Sequence, residues 1–287
     1  MEPQTRNLII AVVLGAAIIF ASQFFLMPQY APPPAPATPA ETEQAAGAPE
    51  VVPGEGVPRL RERAEVLRAD PRVPIETPAF SGSINLRGAR IDDLHLKRYR
   101  ETIEARSPTI VLLTPSGVKD FYFAEFGWLA SDPGLVLPGP DTLWQAEGET
   151  LSPDTPIDLS WDNGRGLRFS MTIAVDEDYL FTVERRVENS GEAPVTLWPF
   201  GLIARLGEGD PSELVYASYL VHLGPVGAFN GTLEEASYDD LREEKEQSFE
   251  STGGWAGITD KYWIVALVAP PQAPVTGRFL SSSFGEA

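Results

Sequence analysis

"YLFTVERRVEN", residues 179 to 189, alternates strictly. Tyr179, Phe181, Val183, Arg185 and Val187 fall on one side, and Leu180, Thr182, Glu184, Arg186 and Glu188 on the other. Successive side chains of an extended chain point to opposite faces, so a period of two marks a half-buried strand. "FSGSINL" (80–86) has the same rhythm, with Phe80, Ile84 and Leu86 opposed to Ser81, Ser83 and Asn85. Turn chemistry separates such runs: "RGA" at 87, "TPSG" at 114, "DNGRG" at 162, "DED" at 176 and "NSGEAP" at 189. Asn163-Gly164 is the strongest turn signal, because a tight hairpin needs residues that tolerate positive φ. Many short strands with close turns and no long 3.6-residue period predict an all-β domain from Val73 onward, an antiparallel sandwich or barrel.

The chain has 287 residues, enough for one large or two small domains. Its net charge of −19 repels phosphate backbones, which argues against nucleic acid as a partner. Cysteine is absent, so a disulfide framework, a thiolate metal site and a cysteine nucleophile are all excluded.

Before the β-rich part, Leu8 to Met27 ("LIIAVVLGAAIIFASQFFLM") carries no charge. As a helix its roughly 20 residues rise about 30 Å, enough to cross a hydrocarbon core. A cleaved signal peptide has a shorter apolar stretch closed by a small-residue site, and no clean A-x-A pattern follows this one. Residues 1–27 therefore read as an uncleaved signal anchor, with a cleaved signal as the alternative. Arg6 precedes the span and neither Lys nor Arg occurs from Pro28 to Pro58, which predicts a cytoplasmic amino terminus and an exported remainder. Residues 28–72 read as a Pro-rich tether, because proline fixes φ and favours an extended chain. Within it "RLRERAEVLRAD" (59–70) suits either a short helix or more linker.

Candidate chemistry is sparse. His95 lies between Leu94 and Leu96, so it faces outward if the leucines face inward. His222 precedes a Gly-Pro turn, and neither histidine has an acid–base partner visible in the sequence. No G-x-S-x-G elbow, P-loop or Rossmann fingerprint occurs. No catalytic, cofactor or metal residue is therefore assigned. The acidic stretch Thr232 to Glu250 reads as a solvated face, built as a frayed helix or a polar edge strand. The aromatics of "DFYFAEFGWL" (120–129) read as core, with a groove for a peptide or hydrophobic segment as the alternative. In "GGWAGITDKYWIVALV" (253–268), Gly253-Gly254 permits a bulge or positive φ. Trp255 and Ile258 are expected to pack beneath it, and "YWIVALV" to form a strand buried on both faces.

The same stretch carries a family resemblance. "GGWAGITDKYWIVALVAP", preceded by "HLGPVGAFNGTLEEASYDDL", closely resembles the first periplasmic domain of Gram-negative YidC membrane insertases, especially alphaproteobacterial ones. Gly253, Gly254, Trp255, Asp260, Tyr262 and Trp263 carry the motif. "MEPQTRNLIIAVVLGAAIIFASQFFL" and "ETPAFSGSINLRGARIDDLHLKRY" fit in the same order, so the resemblance covers essentially the whole chain. It implies one transmembrane helix and then a β-supersandwich similar to the galactose-mutarotase-like fold. It also implies a non-enzymatic role in inserting and folding inner-membrane proteins, alone or beside the Sec translocon. The expected location is the bacterial inner membrane, with the β-domain periplasmic. Expected partners are inner-membrane clients, Sec components, and the bilayer through the anchor. Family members continue into five further transmembrane helices forming a groove with a buried arginine, so residues 73–287 are expected to be a periplasmic domain truncated at its C-terminal end. A sugar-active epimerase-like enzyme and an anchored periplasmic binding protein are the alternatives that the fold leaves open.

Overall fold

A short helix, α1 (Arg63–Ala69), leads into sixteen strands in the computed structural model, which describes residues 61–104, 106–207, 222–260 and 262–281. The expected membrane span and most of the Pro-rich tether lie outside these residues. Within 59–70, which suits either a short helix or linker, the structure is helical over Arg63–Ala69 with Val66 buried.

Every strand ladder is antiparallel. A six-stranded sheet has the order β1 (Arg72–Glu76), β2 (Phe80–Asn85), β3 (Arg90–Arg100), β5 (Tyr122–Ala130), β10 (Leu197–Arg205), with β4 (Thr109–Leu113) also on β3. A four-stranded sheet runs β6 (Gln145–Glu147), β7 (Ile157–Asp162), β8 (Leu167–Val175), β9 (Phe181–Asn189). A second four-stranded sheet runs β12 (Thr232–Glu235), β11 (Gly224–Phe229), β14 (Trp255–Thr259), β15 (Ile264–Val268). β13 (Glu246–Thr252) pairs with β16 (Pro274–Leu280). The all-β expectation holds.

Pattern explains placement. On β8, Leu167, Phe169, Met171, Ile173 and Val175 are all buried, as a strand facing a core on one side requires. The β7–β8 hairpin is held by Asn163, whose Oδ1 accepts from the Arg165 and Leu167 amides at 2.8 and 3.0 Å. Gly164 supplies the positive φ that the turn needs. Phe121, Tyr122, Phe123 and Trp128 are buried, confirming the aromatic run as core.

The first four-stranded sheet packs on the six-stranded one through Trp128, whose ring meets Phe169 edge-on at 5.1 Å. The second four-stranded sheet covers the same face further along. Its Ile258, Trp263 and Val265 pack on the main core, and the Tyr122 hydroxyl donates to the Ile258 carbonyl at 2.9 Å. A smaller core stacks Phe229 on Phe249 at 4.7 Å, with Phe279 against both. Leu241 closes that core from α2 (Tyr238–Glu244). The acidic stretch 232–250 is thus both of its alternatives in succession: strand β12, capped helix α2, then β13.

Two expectations fail. β15 is an end strand covered on one face only, so Ile264 and Val268 remain 48% and 71% exposed. Trp255 is half-buried because it shares that open face, opposite Val268, whereas Ile258 points to the core. The physical reason is parity: residues three apart on a strand face opposite ways.

Candidate functional site: an open seam between two sheet edges

The six motif residues occupy the two ends of β14 and do not converge on one point. Gly253 and Gly254 take φ of +67° and +106° between β13 and β14. Asp260 and Trp263 close the β14–β15 turn, where the Asp260 amide donates to the Trp263 carbonyl at 2.7 Å. Asp260 also receives Arg205 Nη1 at 2.6 Å, and the Trp263 ring stands edge-on to Tyr99 at 4.8 Å. Tyr262 projects outward, 69% exposed. These are folding contacts and place no reactive group.

The functional geometry lies beside them. β9 ends one sheet and β15 ends another, both over the same face of the six-stranded sheet, and no ladder joins them. Arg185 on β9 reaches down to the Phe200 carbonyl at 2.6 Å and toward the Phe126 ring at 5.8 Å. From the other side, a Leu267 methyl of β15 comes within 3.2 Å of where a Cβ on Gly201 would sit, beside the same Phe126. Between them Gly201 stays exposed, and Phe126 and Ile203 are only half-buried. The core is therefore open along a seam. Tyr179, Tyr99 and Trp263 border one end. At the other is a groove of about 460 Å³ lined by Trp128, Val187, Val195, Leu197 and Pro199 among others.

Arg185 is electrostatically unusual. Burial pushes its guanidinium below the ordinary arginine value, with no carboxylate among the described residues to offset it. Its Nη1 donates to the Phe200 carbonyl and weakly, at 3.4 Å, to the Gly127 carbonyl, leaving Nε and Nη2 without an acceptor among the described residues. Other interior arginines are paired: Arg63 with Asp93, Arg72 with Asp92, Arg90 with Glu125, Arg205 with Asp260. Alternation placed Arg185 on the same face as Phe181, Val183 and Val187. The sequence thus already signalled an inward arginine, but not that it would lack a counterion.

A second polar cluster was missed. β3 carries one extra residue opposite the Ser83–Ile84 step of β2, and this bulge turns both Asp92 and Asp93 inward. Burial raises the Asp92 carboxyl, and Arg72 only partly offsets it. Burial also acts upward on Asp93, but hydrogen bonds from His95 and Ser83 and the charge of Arg63 outweigh it and hold that carboxyl low. His95 is half-buried in this cluster and not fully outward, with Nε2 2.9 Å from Arg63 Nη2. His222 Nε2 sits 2.8 Å from the Pro225 carbonyl. Each histidine is engaged in a structural contact.

What the fold and site define is an antiparallel β scaffold offering sheet edges and an open apolar seam. A family model described as the YidC periplasmic domain matches residues 72–286, and the chain belongs to that family. Curated relatives named "Membrane protein insertase YidC" include one from Beijerinckia indica, 49% identical over 79% of this chain and 38% of its own length. Others come from Bradyrhizobium diazoefficiens, 42% identical over 99% and 49%, and from Nitrobacter hamburgensis, 43% identical over 99% and 48%. The chain spans about half or less of the length of these relatives.

Proposed function

We propose that the chain is the amino-terminal anchor and periplasmic domain of a membrane protein insertase, serving as a non-enzymatic scaffold in the insertion and folding of inner-membrane proteins. The match of residues 72–286 to the YidC periplasmic domain carries this reading. The layered sheets fit a β-supersandwich, with residues 1–27 as a transmembrane helix, 28–72 as tether and 73–287 as the periplasmic domain. In this reading Leu8 to Met27 crosses the inner membrane with its amino terminus in the cytoplasm, and Sec components dock beside the clients. The engagement of His95 with Arg63 and of His222 with a main-chain carbonyl supports a structural role for both and disfavours an epimerase.

Two measurements test it. Protease added to spheroplasts should digest the β-domain and spare a tag at Met1; a protected β-domain with a digested tag would reverse the orientation. Depleting the reading frame that encodes the chain should leave newly made inner-membrane proteins uninserted, and normal insertion across a panel of them would sink the functional assignment.

A further inference from the structure

We propose that the seam between β9 and β15 receives one extended segment of another polypeptide as an added strand, aliphatic at alternate positions and carrying a carboxylate that meets Arg185. The proposal rests on the scaffold reading above and assigns it a site and a ligand chemistry.

Three observations converge. The first is the pair of edges. Among the described residues β9 and β15 each have one strand partner, and they reach Phe126 and Gly201 of the six-stranded sheet through Arg185 and Leu267. Unpaired strand edges present rows of amides and carbonyls that accept another strand. Three other strands at sheet edges carry proline or charge: Pro74 on β1, Pro199 on β10, Glu234 and Glu235 on β12, and β9 itself carries Glu184, Arg186 and Glu188 on its outward face. β15 has neither, since Ile264 to Val268 reads "IVALV".

The second is a step in burial. Core-facing residues of β8 are fully buried, while Phe181, Val183, Arg185 and Val187 on the adjacent β9 are all half-buried. Val265 and Leu267 across the seam are half-buried too. Apolar side chains on both banks and the floor lack one layer of neighbours. An inserted strand of about six or seven residues, at about 3.3 Å per residue, matches the run of β9 from Phe181 to Val187.

Charge complementarity is the third. Among the described residues Arg185 Nε and Nη2 have no acceptor and its guanidinium no acid partner, in a chain with 41 acidic and 22 basic residues. A partly buried guanidinium without a counterion is costly, and a carboxylate brought by the occupant would satisfy it as a fork. β15 of a second copy does not fit as occupant: it already uses one edge on β14, whereas a strand in the seam must be free on both edges. A second copy's net charge of −19 would repel as well. An unfolded segment meets the requirement, and this is the state of a polypeptide awaiting insertion.

The test uses the full-length gene product in detergent and a fluorescein-labelled peptide, VTVTDTVTV, with a solubilising lysine tail. Inward positions then present valine, valine, aspartate, valine, valine. Anisotropy should show it binding about tenfold tighter than VTVTNTVTV, the difference between a charged and a neutral hydrogen-bonded contact. Arg185→Gln should abolish that preference without shifting the thermal midpoint by more than a few degrees, and Arg185→Lys should keep part of it. Equal binding of the two peptides, or a preference that survives Arg185→Gln, overturns the proposal. In cells, p-benzoyl-phenylalanine at Val183 should form adducts with other proteins, through peptides of this alternating acidic pattern, and at the outward Glu184 it should not. Adducts within the same polypeptide or between two copies would assign the seam to those occupants and overturn the proposal while leaving the scaffold reading intact. Normal insertion on depletion would remove the scaffold reading instead.

Discussion

Arg72→Met should destabilise the chain by about 3–5 kcal/mol, because it leaves the Asp92 carboxylate buried without its cation. Asp92 is 1% exposed, its Oδ2 has no hydrogen-bond partner, and Arg72 supplies its ion pair. Arg72 also donates from Nε to Ser83 Oγ at 2.7 Å, so the variant additionally frees a bulged strand pair. The pH dependence identifies the cause. Burial raises the Asp92 carboxyl in the folded state, and removing Arg72 deletes the main opposing effect, so its folded value rises further above the unfolded one. A raised folded value means the penalty is absent below the unfolded carboxylate value of about 3.9 and grows as pH rises toward the folded one. Urea melts of the variant should therefore approach wild type at acid pH and diverge toward neutrality. Arg72→Met with Asp92→Leu should recover most of the loss at neutral pH, since two apolar groups leave no uncompensated charge. A deficit independent of pH, or no recovery in the double variant, would assign the effect to lost packing.

Asp92 also shows where the sequence stops being legible. Period-two reading located β2 and β9, and turn chemistry located the hairpin at Asn163; β9 keeps strict alternation from Phe181 to Val187 and faces one core. It could not locate Asp92, because the β3 bulge inserts one residue and breaks parity between Ile91 and Leu94. The seam was partly legible. An arginine among Phe181, Val183 and Val187 is visible in "FTVERRV" as a charge on an apolar face. That its guanidinium would reach Phe200 and find no acid among the described residues depends on how three sheets meet, which no local pattern encodes. "YWIVALV" misled for a related reason: a continuous apolar run reads as a doubly covered strand, yet here it ends a sheet and keeps one face bare. Composition does not distinguish a central strand from an uncovered edge.

The same distinction sets the order of effects in the Gly-Gly-Trp motif, where glycine and not tryptophan should dominate. Gly254 has φ of +106° and lies against the carbonyl of Ala228, so a Cβ there would sit 2.3 Å from that oxygen. The oxygen belongs to β11, which pairs on both sides with β12 and β14, so it cannot retreat without opening two ladders. Positive φ costs a side-chain-bearing residue about 1–2 kcal/mol, and overpacking adds about 1–3. Gly254→Ala is therefore expected to cost roughly 2–5 kcal/mol. Fully buried tryptophans lose about 3–5 kcal/mol on truncation, but Trp255 lies half-buried on the open face beside the exposed Val268. Trp255→Ala should fall well below that range, at about 1–2 kcal/mol. Urea midpoints of the two variants, followed by far-UV circular dichroism because one of them removes a fluorophore, give the comparison directly. If Trp255→Ala proves the more costly, the indole is covered in solution, and the bare face of β14 and β15 must be covered with it.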